Sequence, residues 1–220
     1  RIRQVKSEME QDIIKKACGI TSEAFKRAAR YVKPGVHEYE VRAELDHHFT
    51  INRTNGHAFP PIVASGRNAT FLHYNENNGI CRDGDLLLLD FGCEYNYYSS
   101  DLSCTIPVNG KFTKRQKEVY DAVLRSFKNI MPLFTEGNSI EHIYKEIIPL
   151  MEEEMIGLGL FTKEEAAKTA NDDPLWFRYF PHGLSHHIGL DVHDPGKKQD
   201  ALYEGMVVTC EPGIYIPEEN

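Results

Sequence analysis

The chain has 220 residues, 41% of them hydrophobic, and a formal net charge of −8; that is enough apolar material for one large domain or two small ones, and it excludes a disordered chain. Its acidic residues are scattered rather than blocked, which argues against nucleic acid or an anionic membrane as partner, since either needs a basic face. No apolar run approaches the roughly 20 residues of a spanning helix, and no signal-peptide core follows the basic opening RIRQVKSEMEQ.

Ser7 and Glu10 form a capping box, which predicts a long surface helix reaching Val32 and stopped by Lys33-Pro34-Gly35. A second helix is expected from Glu38 to Ile51, with Val41, Leu45 and Phe49 on one stripe and His47 and His48 as ordinary surface residues beside it. Turn-rich sequence with short strands fills Asn55 to Gly84. The four leucines from Leu86 to Leu89 then read as a buried strand, because turn signals bound the run on both sides, at 82–85 and at Asn109-Gly110. Thr113 caps a helix through Met131, ended by Pro132, and Ser139 opens another that reaches Met155. A short helix is expected over Lys163 to Ala170. From Trp176 onward the pattern returns to strand, and MVVTCEPGIYI alternates around Glu211 before Pro212-Gly213 forces a bend or bulge. There is no glycine-rich phosphate loop and no regular alternation of strand and helix, so the fold class is α+β with a largely antiparallel, curved sheet.

The leucine strand runs straight into Asp90, and Asp101 follows on the returning strand. A turn about Tyr95-Asn96 would place the two aspartates opposite each other, with Cβ atoms about 4.5–5.5 Å apart. Like charges at that distance repel, so a divalent metal ion, or two sharing one carboxylate, is expected between them. The plainer alternative leaves one aspartate in solvent at the hairpin rim. PHGLSHHIGLDVHD, from Pro181 to Asp194, adds His182, His186, His187 and His193; its glycines speak against a zincin helix, and in an extended chain His186 and His187 point to opposite faces. A histidine-rich loop with no metal is the alternative there. Glu211, in a strand that is otherwise core, needs a cation or a salt bridge. Together these groups make a donor set suited to a dinuclear site of manganese, cobalt or zinc type. The five cysteines are odd in number and widely spaced, without a C-x-x-C pair; they read as reduced thiols of a cytoplasmic protein.

LLLLDFGCEYNYYSSDLSCTIPVNGKF, PHGLSHHIGLDVHD and VVTCEPGIY resemble the motifs of the pita-bread metallopeptidases, in the branch that holds X-prolyl aminopeptidase (aminopeptidase P) and prolidase. The likeness runs in order along nearly the whole chain and includes HYNEN at His73. It implies the pita-bread fold, a curved antiparallel sheet flanked by helices, with two divalent ions, manganese foremost and cobalt or zinc as alternatives, and a peptide as substrate. By that resemblance Asp90 is the terminal ligand of one metal and Asp101 the bridging carboxylate. His186 is the imidazole ligand of the other metal, and Glu211 its carboxylate ligand and proton shuttle. His73 and His193 resemble histidines that bind substrate near the scissile bond, and His182 a residue beside the pocket for the proline side. His187 matches no ligand and is expected to be structural. In such enzymes a metal-bridging hydroxide attacks the peptide carbonyl while the metals stabilise the oxyanion.

The family pattern also holds a glutamate that bridges both metals one strand after the E-P-G motif, and an N-terminal domain that serves oligomer formation; neither is found in residues 1–220, and Glu218 and Glu219 lie too close to Glu211 to substitute. Residues 1–220 are therefore expected to form a single catalytic domain cut at both ends, weakly active or inactive alone and part of a homo-oligomeric parent that is a working peptidase. The activity expected is removal of the first residue from X-Pro peptides. Prolidase action on X-Pro dipeptides is the near alternative, ahead of methionine aminopeptidase and of a creatinase-like hydrolase. From another class, a catalytically inactive pita-bread module that binds proteins is the alternative.

Overall fold

The computed structural model describes residues 2–169 and 173–219. Helix α1 spans Glu8–Tyr31 with the capping box intact, Ser7 and Glu10 each satisfying the other's backbone N–H. Helix α2 spans Glu38–Ile51 and buries Val41, Leu45 and Phe49, the stripe that its spacing predicts. The two helices lie on a three-stranded antiparallel sheet of order β1-β2-β5, formed by β1 (Ile62–Ser65), β2 (Leu86–Phe91) and β5 (Leu102–Pro107). A small hairpin extends it, β3 (Glu94–Tyr95) against β4 (Tyr98–Ser99). Leu87, Leu89 and Phe91 point into a core shared with Ala17, Ala24, Leu45 and Phe49.

Helices α3 (Lys114–Ile130) and α4 (Ile140–Gly157) follow, capped by Thr113 and Ser139 as expected. The buried face of α4, Ile143, Ile147, Met151 and Met155, builds a second apolar cluster with Phe180, Leu184 and Leu202. Helix α5 is shorter than expected, Lys163–Ala166, and the expected end at Ala170 lies outside the described residues.

Two sequence expectations need correction. The hairpin turns at Asn96 and Tyr97, both left-handed at φ 48° and 69°, rather than at Tyr95-Asn96. Two positive φ values in a two-residue loop are the signature of a type I′ turn, whose twist matches the strands it joins. The register moves with it, so that Asp90 faces Ser103 and not Asp101. Because this is a slip of two residues in pairing, Asp101 stays on the same sheet face as Asp90, displaced along the strand.

The second correction concerns the segment around Glu211, which is extended and paired but forms no ladder strand among the described residues. Ile188 donates to the Val207 carbonyl at 3.1 Å, Thr209 to that of His186 at 3.0 Å, and Glu211 to that of Leu184 at 2.9 Å. The His186 N–H, which a regular ladder would send to a carbonyl, goes instead to the Thr209 hydroxyl at 3.0 Å. Between these two segments an isolated bridge forms, His187 with Val208, and Met206 forms another with Val5.

Candidate metal centre

The site begins where the sheet bends. Gly92 follows β2, and a Cβ there would lie 1.7 Å from the Ser100 carbonyl oxygen, closer than any side chain tolerates. That approach is locked by the buried Ser100 hydroxyl, which lies 2.7 Å from that of Thr21 on α1 and 2.9 Å from both the N–H and the carbonyl of Cys93. Asp90 stands just before this corner and Asp101 just after it. Local sequence therefore delivers both carboxylates to one end of the sheet.

The segment from Leu184 to Ile188 lays His186 over them. Nε2 of His186 is 3.2 Å from Asp101 Oδ2 and 3.3 Å from Glu211 Oε1. Nδ1 lies 3.0 Å from the His187 carbonyl, which can only accept, so Nδ1 carries a proton and Nε2 is the nitrogen turned to the carboxylates. Thr209 donates to Glu211 Oε1 at 2.6 Å and holds that carboxylate beside the ring.

Burial, then the charge of Asp101, raises the Asp90 carboxyl to about 7, against the opposing pull of Ser103. Burial likewise raises Glu211, with Thr209 acting against it. For His186 burial opposes the charged form, but the Asp101 and His187 hydrogen bonds and the Glu211 charge outweigh it, and the pKa rises. Among the described residues no set of three or more donors is closed around a metal position; the groups that converge do so in hydrogen-bond contact. Their chemistry nonetheless fits a hard divalent ion, with three carboxylates crowded at one place and an imidazole nitrogen already turned to them by its second-ring hydrogen bond.

The remaining histidines separate. His193 is exposed and stacks edge-on against His186 with ring centroids 4.4 Å apart; burial and the His186 charge lower its pKa. His73 is exposed in the loop after β1, within electrostatic reach of His193. His182 packs edge-on against the rings of Phe180 and Tyr215. Its Nε2 meets the Tyr215 hydroxyl at 3.2 Å, and Tyr215 is held protonated by burial and by the charges of Asp90 and Glu211. His187 turns away, 4% exposed, packed on Gly196. Thr209 and Tyr215 were not anticipated. Thr209 could have been found, since residues two apart on an extended chain share a face; Tyr215 lies past the Pro212-Gly213 break, where that count fails.

The model of metallopeptidase family M24 matches residues 12–220. The chain is 40% identical to the Xaa-Pro aminopeptidase of Escherichia coli over 98% of its own length and 49% of that protein. It is 37% identical to human Xaa-Pro aminopeptidase 3 over 100% of the chain and 43% of that protein, and 34% identical to the mouse Xaa-Pro dipeptidase over 97% and 48%. The chain thus spans about half the length of the curated relatives it matches. Zinc-substituted E. coli aminopeptidase P in complex with product superposes with a TM-score of 0.91 at 40% identity, over 98% of this chain and 50% of that one, so the helices and the bent antiparallel sheet form the pita-bread fold. With the bent sheet, the two aspartates that flank its corner and the family model agreeing along almost its entire length, the chain belongs to metallopeptidase family M24.

Proposed function

We propose that residues 1–220 form the catalytic domain of a metal-dependent X-prolyl aminopeptidase, completed in the whole protein by segments outside this chain. The observation that carries the reading is the convergence of Asp101, His186 and Glu211, from three separated parts of the chain, beside the raised carboxyl of Asp90. Asp90, Asp101, His186 and Glu211 would hold two divalent ions, manganese first with cobalt or zinc as alternatives. Such a pair, when bound, supplies Lewis-acid polarisation of the scissile carbonyl and a nucleophile at neutral pH.

The chain's own groups supply the rest. Glu211, with its raised pKa and its Oε1 fixed by Thr209, is suited to hold and pass a proton at that oxygen. His193, kept neutral by burial and by His186, offers a hydrogen-bonding ring at the rim, with His73 on the same side. His182 and Tyr215 form the polar edge of the aromatic wall with Phe180, where the proline ring would rest. The reading includes a cytoplasmic location, supported by the free cysteines, and a homo-oligomeric whole protein. No helix among the described residues is long and apolar enough to cross a membrane.

The mouse dipeptidase among the relatives keeps prolidase as the second reading. The test is manganese-dependent release of the first residue from an X-Pro-Y tripeptide, beside an X-Pro dipeptide, with Asp101→Asn as control. Tripeptide cleavage lost in the control supports the aminopeptidase, and cleavage of the dipeptide alone moves the assignment to prolidase. No cleavage and no bound metal would leave a protein-binding module.

A further inference from the structure

Glu38 is a wholly buried carboxylate outside the metal centre, and among the described residues no salt bridge reaches it. It stands in the first turn of α2, where the helix dipole favours an anion. Its oxygens collect donors from both legs of the loop that follows β1. Oε1 accepts from the Ser65 N–H at 2.7 Å and the Asn68 amide at 2.9 Å, and Oε2 from the Tyr74 hydroxyl and the Gly79 N–H, each at 2.7 Å. The backbone closes the same junction, Glu38 N–H to the Gly79 carbonyl at 2.9 Å. A Cβ on Gly79 would come within 2.8 Å of Glu38 Oε1 and 2.7 Å of the Asn68 amide, so the knot has no room for another side chain. Asn77 fastens the exit leg to β1, accepting from the Val63 N–H at 2.7 Å and donating to the Pro61 carbonyl at 2.9 Å. Between these two fixed legs His73 is left exposed, within electrostatic reach of His193.

We propose that Glu38 is a positioning residue for peptide binding: buried, with both oxygens taken up by donors from the loop, it ties the two legs together and so sets where His73 stands beside the candidate metal centre. The inference rests on the reading of His73 as a substrate-binding group. A carboxylate is required because each of its oxygens must accept from two donors; an amide would turn its own N–H groups toward one of those pairs.

The test compares Tyr74→Phe, which removes the hydroxyl that donates to Glu38 and accepts from the Asn68 amide and keeps the ring, with Glu38→Gln, each alone and combined with His73→Ala, in the complete metal-loaded protein. The readouts are kcat and KM on an X-Pro-Y tripeptide, hydrogen exchange across 62–80, and the manganese-induced rise in melting temperature. The expected result for Tyr74→Phe is exchange about tenfold faster within 66–79 only, and kcat/KM about tenfold lower, with no further fall when His73 is already alanine. The metal-induced rise should not change. Equal loss of activity in both backgrounds would show a merely structural role and overturn the proposal, as would unaltered exchange. If the wild-type protein cleaves no X-Pro peptide, the peptidase reading has failed, and exchange alone decides: an unaltered loop overturns the anchoring and a loosened one supports it.

Discussion

Asp90 is the residue on which the electrostatics of the candidate metal centre turn. A free aspartate ionises near pH 3.8, whereas burial and Asp101 bring this one to about 7. The metal-free folded protein therefore binds a proton here between those values that the unfolded chain does not. Its stabilising share is present at low pH and is lost as pH rises through 7, leaving a repelling carboxylate. Asp90→Asn should accordingly stabilise the metal-free protein at pH 8 by about 2 kcal/mol, less than the full electrostatic penalty because the chain relaxes. The gain should shrink steadily toward pH 4. Denaturant unfolding of both proteins with chelator at several pH values checks this, and a gain independent of pH would refute the account. Asp101, His186 and Glu211 could be named from the sequence because acid and imidazole donors sit in segments of otherwise apolar or glycine-rich character. Glu38 could not: a glutamate in a first helical turn reads as a dipole partner at the surface, and only the fold shows four donors around it.

At the scale of the element, the hairpin shows how a turn and a corner fix a register together. Gly92→Ala should cost more than about 3 kcal/mol, or abolish folding, since the added methyl meets the Ser100 carbonyl and a buried backbone cannot move aside. Tyr97 sits left-handed at φ 69° with 71% of its surface exposed. Tyr97→Gly should therefore stabilise the protein by about 0.5–1 kcal/mol, as Asn-Gly is the favoured type I′ pair. Thermal melting of the two variants gives opposite signs if this description holds. The first four helices were legible to within about two residues because capping boxes and stop signals are local. The register was not, because the Asn of the turn could occupy either central position, and the choice was made by packing of Ser100 against Thr21, far away in the chain. The C-terminal strand expectation failed for a related reason: alternation records burial, but whether a ladder closes depended on the Thr209 hydroxyl.

For the whole molecule, the beginning of the chain is tied to the loop that follows the histidines of the candidate metal centre. Lys6 and Asp194 pair at 3.3 Å with both side chains 1% exposed, and Arg3 also contacts Asp194. Lys6→Met leaves Asp194 with Arg3 and the Asp191 N–H, and should cost about 2–3 kcal/mol; adding Asp194→Asn should recover part of the loss, because the underpaired charge goes with it. Chemical denaturation of the single and double variants measures this directly, and strictly additive losses would refute it.

The sequence by itself determined the main helices, the acid and imidazole residues that are candidates for donors, and the family they resemble, because caps, periodicity and residue chemistry are written in neighbouring positions. The tertiary structure alone decided which donors meet. Asp101, His186 and Glu211 come together from distant segments, and the two-residue difference in register, the Thr209 interruption and the Glu38 knot each depend on atoms that approach only when those segments pack.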